Sequence, residues 1–194
     1  MTFAALLLAT LASGRTHAQS VSAASPSTGA DVVGQSAADA IRAAAGSDGA
    51  FLAAGYLKSA GNREDLATYL EFPTDEIVVL SLTGGQIKAA LERSVSLFPQ
   101  ANSSFLQISG FEVTFSKSAP AGSRVLSASS DSGKLDDSRT YTVAMPGNLG
   151  RGGLGFFKIW DRKAIQRTVE NTTLEQALKN KRVTESAPRW SAQS

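Results

Sequence analysis

The sequence predicts an α/β (α+β) fold, a mixed β-sheet with helices packed on it. Four observations carry this expectation. Glu76–Leu82 reads EIVVLSL, a short, apolar, β-branched run typical of a buried strand. It leads directly into Thr83-Gly-Gly-Gln86, the T-x-x-Q spacing of a helix capping box. Beyond it Ile87, Ala90, Leu91, Val95 and Phe98 recur at helical spacing and define one buried face, and Pro99 closes the segment. Further on, Phe111, Val113 and Phe115 alternate with Glu112, Thr114 and Ser116, the pattern of a half-buried strand. A chain of 194 residues, 42% hydrophobic and 19% charged, suits one domain with one core.

The N-terminal segment 1–18 reads as a signal peptide. Phe3–Ala12 is an apolar run of h-region length, and Thr16-His17-Ala18 offers small residues at the −3 and −1 positions. The expected location is therefore periplasmic or secreted. Residues 19–30, rich in Ser, Ala, Pro and Gly without a period, read as a flexible linker. The folded domain is expected over 31–182. Ser36 is the expected N-cap of a first helix that runs to Gly46. AFLAAGYL (50–57) predicts a buried strand and a turn, and 61–70 a loop with a short helix. After the strand–helix unit come the strands SFLQIS (104–109), FEVTFS (111–116), SRVLSAS (123–129) and RTYTVAM (139–145), expected to pair as a meander. Thr172 and Thr173 cap a last helix to about Lys181, and 183–194 form a tail without expected structure, apart from docking of Trp190.

Composition excludes several chemistries. The chain has no cysteine, which removes disulfides, thiolate nucleophiles and cysteine–zinc sites. Its one histidine is His17, inside the segment expected to be removed, so Ser-His-Asp catalysis and His-ligated metal centres are excluded for the remainder. Nineteen basic against seventeen acidic residues, mostly scattered, do not form a nucleic-acid footprint. No run reaches the roughly 18 apolar residues of a membrane span. Ser109 has no base beside it, Asp136 and Asp137 read as a turn, and Asp75 with Glu76 is too small a set for a metal site. The glycine-rich stretch 146–157 is the most suggestive. Its backbone can approach a ligand closely, and loop amides together with Arg151 suit an anion.

Taken in order, DAIRAAAGSD, AFLAAGYLK, FPTDEIVVLSLTGGQIKAALE, FLQISGFEVTFS, KLDDSRTYTVAM and GRGGLGFF resemble the C-terminal domain of the 5′-nucleotidase family over roughly residues 34–180. The resemblance implies the half of such an enzyme that recognises base and ribose. Hydrolysis belongs there to a separate N-terminal metallophosphoesterase domain that holds divalent metals. It implies no catalytic residue and no cofactor in this chain, a nucleotide-like or small anionic ligand, and a separately encoded metallophosphoesterase as partner. The family's Asn-Ala-Gly-Gly-Ile-Arg motif is matched by Ala53–Lys58, with Lys58 where the family has its phosphate-contacting Arg. Its Pro-Phe-x-Asn is matched by Phe72, Pro73, Thr74 and Asp75. Its late Phe and Gly-Gly-Asp-Gly-Tyr are matched by Asn148 and by Gly152 to Phe156. The candidate ligand-binding residues are therefore Lys58, Phe72, Asp75, Gly110, Asn148, Arg151, Gly152, Gly153 and Phe156. The alternative reading is a divergent, non-catalytic protein-interaction or structural module of the cell envelope.

Overall fold

The computed structural model describes residues 25–194. The segment read as a signal peptide and residues 19–24 of the expected linker lie outside them. Helix α1 spans Val32–Ala45. Its N-cap is Asp31, which accepts from the Gly34 amide at 2.8 Å, and its C-cap is Gly46 in the left-handed region. The helix thus begins a turn before Ser36. Gln107 explains the early start, because its side-chain carbonyl accepts from the Asp31 amide at 3.0 Å and fixes the entering chain. The same side chain donates to the carbonyls of Pro26 and Gly29, both at 2.8 Å, and the Asn102 amide donates to Ser27 at 2.9 Å. Residues 25–30 are therefore anchored to the domain, where the sequence suggested a flexible linker.

Strand β1 (Gly49–Ala53) is buried throughout and ends in a 3-10 turn, Ala54–Tyr56. A second 3-10 turn, Leu66–Tyr69, precedes β2 (Glu76–Thr83). Helix α2 (Gly84–Val95) starts at the expected capping box, Thr83 accepting from Gln86 and Gln86 reaching back to the Thr83 amide. Gln86 also donates to the Ile159 carbonyl at 2.9 Å, so the cap doubles as a tertiary tie. The helix ends at Val95, three residues short of Phe98. Next come β3 (Leu106–Ser109), β4 (Phe111–Ser116), β5 (Val125–Ser130), β6 (Gly133–Lys134) and β7 (Thr140–Pro146). The last elements are α3 (Gly147–Gly150), β8 (Ile165–Thr173), α4 (Leu174–Leu178, capped by Thr173 and Gln176) and β9 (Trp190–Gln193).

The strands form two mixed sheets, ordered β3-β1-β7-β2-β8 and β6-β5-β4-β9. The expected meander holds only for β4, β5 and β6. Between β3 and β4 the chain turns at Gly110, φ +76°, and the two strands enter different sheets. β7 inserts between β1, to which it is parallel, and β2, to which it is antiparallel from Ile77↔Pro146 to Thr83↔Thr140. Its run Val143–Met145 is buried, as a strand flanked on both edges requires. β8 escapes the sequence reading because IQRTVENTT is an edge strand that leaves most side chains in water. In the tail Trp190 is buried, as expected, but the chain around it forms a strand the sequence reading did not expect, β9, parallel to β4.

α1 packs on β1 and β3, while α2 touches β2 and β5. The Glu92 carboxylate on α2 accepts from the amides of Gly122, Arg124 and Val125, which fixes the start of β5. An aromatic core runs through Phe111, Phe51, Trp160 and Phe156, the last two stacked at 4.7 Å and 11°.

Candidate ligand-binding site

Ligands of open α/β sheets bind beyond the carboxyl ends of parallel strands. Here the carboxyl ends of β1 and β7 carry the turn 54–56 and the glycine-rich stretch, and the segment entering β2 lies beside them. That segment is held from outside: the Glu175 and Leu174 amides donate to the carbonyls of Pro73 and Asp75 at 2.9 and 2.8 Å.

Phe72 leaves 53% of its surface in solvent, while its ring meets that of buried Tyr56 edge-on at 5.5 Å and 76°. The Tyr56 hydroxyl faces the Asp75 carboxyl group and the Asn148 side chain. Burial, with the Asp75 charge as second cause, pushes this phenol up to about 12. Asp75 accepts from the Asn148 amide at 3.3 Å. Burial raises its carboxyl group above the ordinary 3.8, against the lowering pull of the Asn148 and Glu76 amides and of Arg151.

A raised carboxyl pKa stabilises the fold only while the group is protonated. The contribution is complete below the unfolded value and lost as pH rises through the folded one. Asp75→Asn is therefore expected to raise the melting temperature at pH 7 by about 1–2 °C, a small gain because half the side chain is screened by solvent. The gain should shrink as pH falls through the carboxylate range and vanish near pH 2, where both states hold the proton; calorimetry at neutral pH and at about pH 2 checks this.

The stretch after β7 forms α3 and then a 3-10 segment, Gly153–Lys158. Gly152, at φ +94°, makes the turn between them. A Cβ there would lie 2.7 Å from the Phe157 Cα, so the position needs glycine. Gly153 follows against the Asn148 carbonyl. The far end of the stretch is clamped by α2. Arg93 and Ser104 both donate to the Leu154 carbonyl, and the Arg93 guanidinium lies 5.2 Å over the Phe156 ring.

The structure brings together Phe72, Asp75, Asn148, Arg151, Gly152 and Gly153, and adds Tyr56 and Glu76. Arg151, about half-exposed, is ion-paired with Glu76, about a third exposed, so its charge is already matched. Three candidates fall elsewhere. Lys58 is exposed beside a separate cavity of about 250 Å³ that it lines with Asp65, Pro73, Glu175 and Lys179. Gly110 is a sheet-to-sheet turn against the Asp48 carbonyl and Arg42. Phe156 is wholly buried on Trp160, and its neighbour Phe157 is the exposed ring, at 65%. Tyr56 was missed, although it lies in the AAGYLK stretch that matches a family motif; its burial beside Asp75 depends on contacts distant in sequence. Among the described residues no group of three or more His, Cys, Asp or Glu side chains is placed to hold a metal ion. No helix among them is long and apolar enough to cross a membrane.

Comparison with known proteins agrees with this architecture. Residues 9–161 match the family model described as 5′-nucleotidase, C-terminal domain, a match that starts inside the apolar run Phe3–Ala12. A 5′-nucleotidase-related protein of Glossina morsitans morsitans is 33% identical over 125 residues, which is 58% of this chain and 22% of that protein. The human 5′-nucleotidase is 35% identical over 109 residues, 50% of this chain and 18% of that one. The crystal structure of a 5′-nucleotidase precursor from Thermus thermophilus superposes with a TM-score of 0.72 at 26% identity, over 87% of this chain and 36% of that structure. The chain thus spans about a fifth of the length of these curated relatives. With the family model covering most of its length and the same fold recurring in a solved relative, the chain belongs to the 5′-nucleotidase C-terminal domain family.

Proposed function

We propose that this chain is the recognition half of a 5′-nucleotidase-type hydrolase and binds a nucleoside or nucleotide-like ligand for nucleotide catabolism. The observation that carries the reading is the Phe72 ring, exposed on one face, braced by Tyr56, and set beside Asn148 and Asp75 where β1 and β7 end. An aromatic face takes a base by stacking, and an amide and a carboxyl group take base edges and ribose hydroxyls. A phosphate is served less well, because Arg151 is matched by Glu76 and Lys58 lies elsewhere. In this reading hydrolysis, and the divalent metals it uses, belong to a metallophosphoesterase domain outside these residues, and the residues described here hydrolyse nothing by themselves.

A thermal-shift titration with adenosine, AMP and inorganic phosphate, with and without Mn²⁺, tests the proposal. A ligand that binds only the folded state raises the melting temperature by mass action. The expected result is a shift with adenosine and AMP, independent of Mn²⁺, and little with phosphate. No shift at millimolar adenosine or AMP would leave the non-catalytic envelope module in front, a reading favoured by the Arg151–Glu76 pair. Export is proposed from the pattern of residues 1–18. It competes for residues 9–18 with the family match, and N-terminal sequencing of the protein from cell fractions decides between them. A chain starting after Ala18 in the periplasm or medium supports export.

A further inference from the structure

We infer that the groove between α1 and β4 is a peptide-recognition groove, which the chain fills with its own C-terminal segment and which accepts the same segment from a second copy. After α4 the chain runs from 181 to 188 without regular structure and lies along α1. There α1 presents two buried polar side chains. Gln35, 2% exposed, donates from Nε2 to Ser186 Oγ at 2.9 Å and to the Ala187 carbonyl at 3.3 Å, and its Oε1 accepts from the Arg189 amide at 2.7 Å. Ser36 Oγ accepts from the Thr184 amide at 3.0 Å. Every hydrogen bond of the Gln35 side chain therefore ends on the tail. A buried amide of this kind is costly without partners, so this helix face is built to read an extended chain.

Two side chains anchor the segment. The Arg189 guanidinium pairs with Asp39 at 2.8 Å and donates to the Ile108 carbonyl at 2.8 Å, while Ser109 Oγ holds the other Asp39 oxygen at 2.6 Å. The Trp190 ring packs 4.8 Å from Phe105 and 6.1 Å from Phe115, and its indole N–H donates to the Leu106 carbonyl at 2.9 Å. The main chain then joins β4 in parallel, from Val113↔Trp190 to Ser116↔Gln193, with the Val113 and Lys117 amides donating to Arg189 and Gln193 at 2.8 Å. This is strand addition at a sheet edge, in which the ladder supplies affinity and the side-chain pockets supply selectivity.

Among the described residues the tail does not fill its groove. A cavity of about 670 Å³ remains beside it, lined by Val32, Phe98, Pro99, Phe115, Pro188 and Ala192 among others. Eight residues of extended chain can reach about 26 Å, enough to carry the anchors to a neighbouring molecule. Occupancy within the chain prevails when dilute, because a tethered segment acts at millimolar effective concentration.

The test is anisotropy of a fluorescent peptide of residues 183–194 titrated with full-length protein, using Trp190→Ala and Arg189→Ala as acceptors with weakened tails. Arg189→Ala removes hydrogen bonds and no core ring, and remains informative if Trp190→Ala does not fold. Saturable binding is expected to each folded acceptor, at least about ten-fold tighter than to wild type, whose own tail competes. Adding Gln35→Ala should cost about ten-fold. A peptide carrying Ala192→Leu should bind several-fold tighter by filling the cavity. Wild-type protein incubated near its melting temperature at high concentration and cooled should yield a dimer, seen by sedimentation. Absence of binding to an acceptor with wild-type circular dichroism, or binding indifferent to Gln35→Ala, overturns the groove. Peptide capture without any dimer overturns the second copy as occupant and points to a foreign Arg-Trp peptide.

Discussion

Phe72→Ala is expected to weaken adenosine binding by about ten-fold or more, since a base–aromatic stack contributes about 1–3 kcal/mol. The melting temperature should fall by only several degrees. The ring is half in solvent, so truncation removes the burial of about half a phenyl ring, on the order of 2 kcal/mol. Phe72→Trp, which keeps an aromatic face, should retain binding. Calorimetric titration with adenosine and thermal unfolding of the same samples check both halves. Equal loss in both variants would mean that stacking is not what the position supplies.

Gly152→Val is expected to lose both stability and binding. At φ +94° a β-branched residue is strained, and its Cβ would overlap the backbone of Phe157, whose amide donates to the Gly152 carbonyl at 3.0 Å. Strain and overlap together should cost about 3 kcal/mol or more, lowering the melting temperature by about 6–12 °C in a domain of this size. Because Asn148 and Arg151 sit on the turn just before Gly152, adenosine binding should fall even in the fraction that folds. Gly152→Asn tolerates the dihedral but keeps the overlap, and is expected to fall between the two. Chemical denaturation and a titration below the melting point measure each effect.

The parts of the fold that were legible in the sequence are those that local chemistry decides. The EIVVLSL strand and its Thr83–Gln86 cap depend on neighbours within four residues. β8 and β9 were not legible. Each is a sheet edge, so half its pattern is polar, and its partner strand is distant in sequence. The start of α1 was misplaced at Ser36 because Asp31 is selected by Gln107, a residue of another element. At the site, Phe72, Asp75, Asn148, Arg151 and the paired glycines lie together, a convergence that the sequence alone does not show because the segments are some 75 positions apart. Phe156 does not join them, since two adjacent phenylalanines look alike until Trp160 and Arg93 decide which one is buried. Lys58 follows a turn and lines another cavity, with Asp65, Glu175 and Lys179. The Arg151–Glu76 pair, which replaces a free cation by a matched one, spans 75 positions and leaves no local trace.

Nucleoside recognition stands or falls on where a nucleoside touches this chain. The decisive measurement is a ¹H–¹⁵N correlation titration of the labelled full-length protein with adenosine. Saturable shifts are expected at Tyr56, at Phe72 to Glu76 and at Gly147 to Gly153, with Gly110 and Lys58 unmoved. Saturable shifts elsewhere, or none at millimolar adenosine, would contradict that recognition.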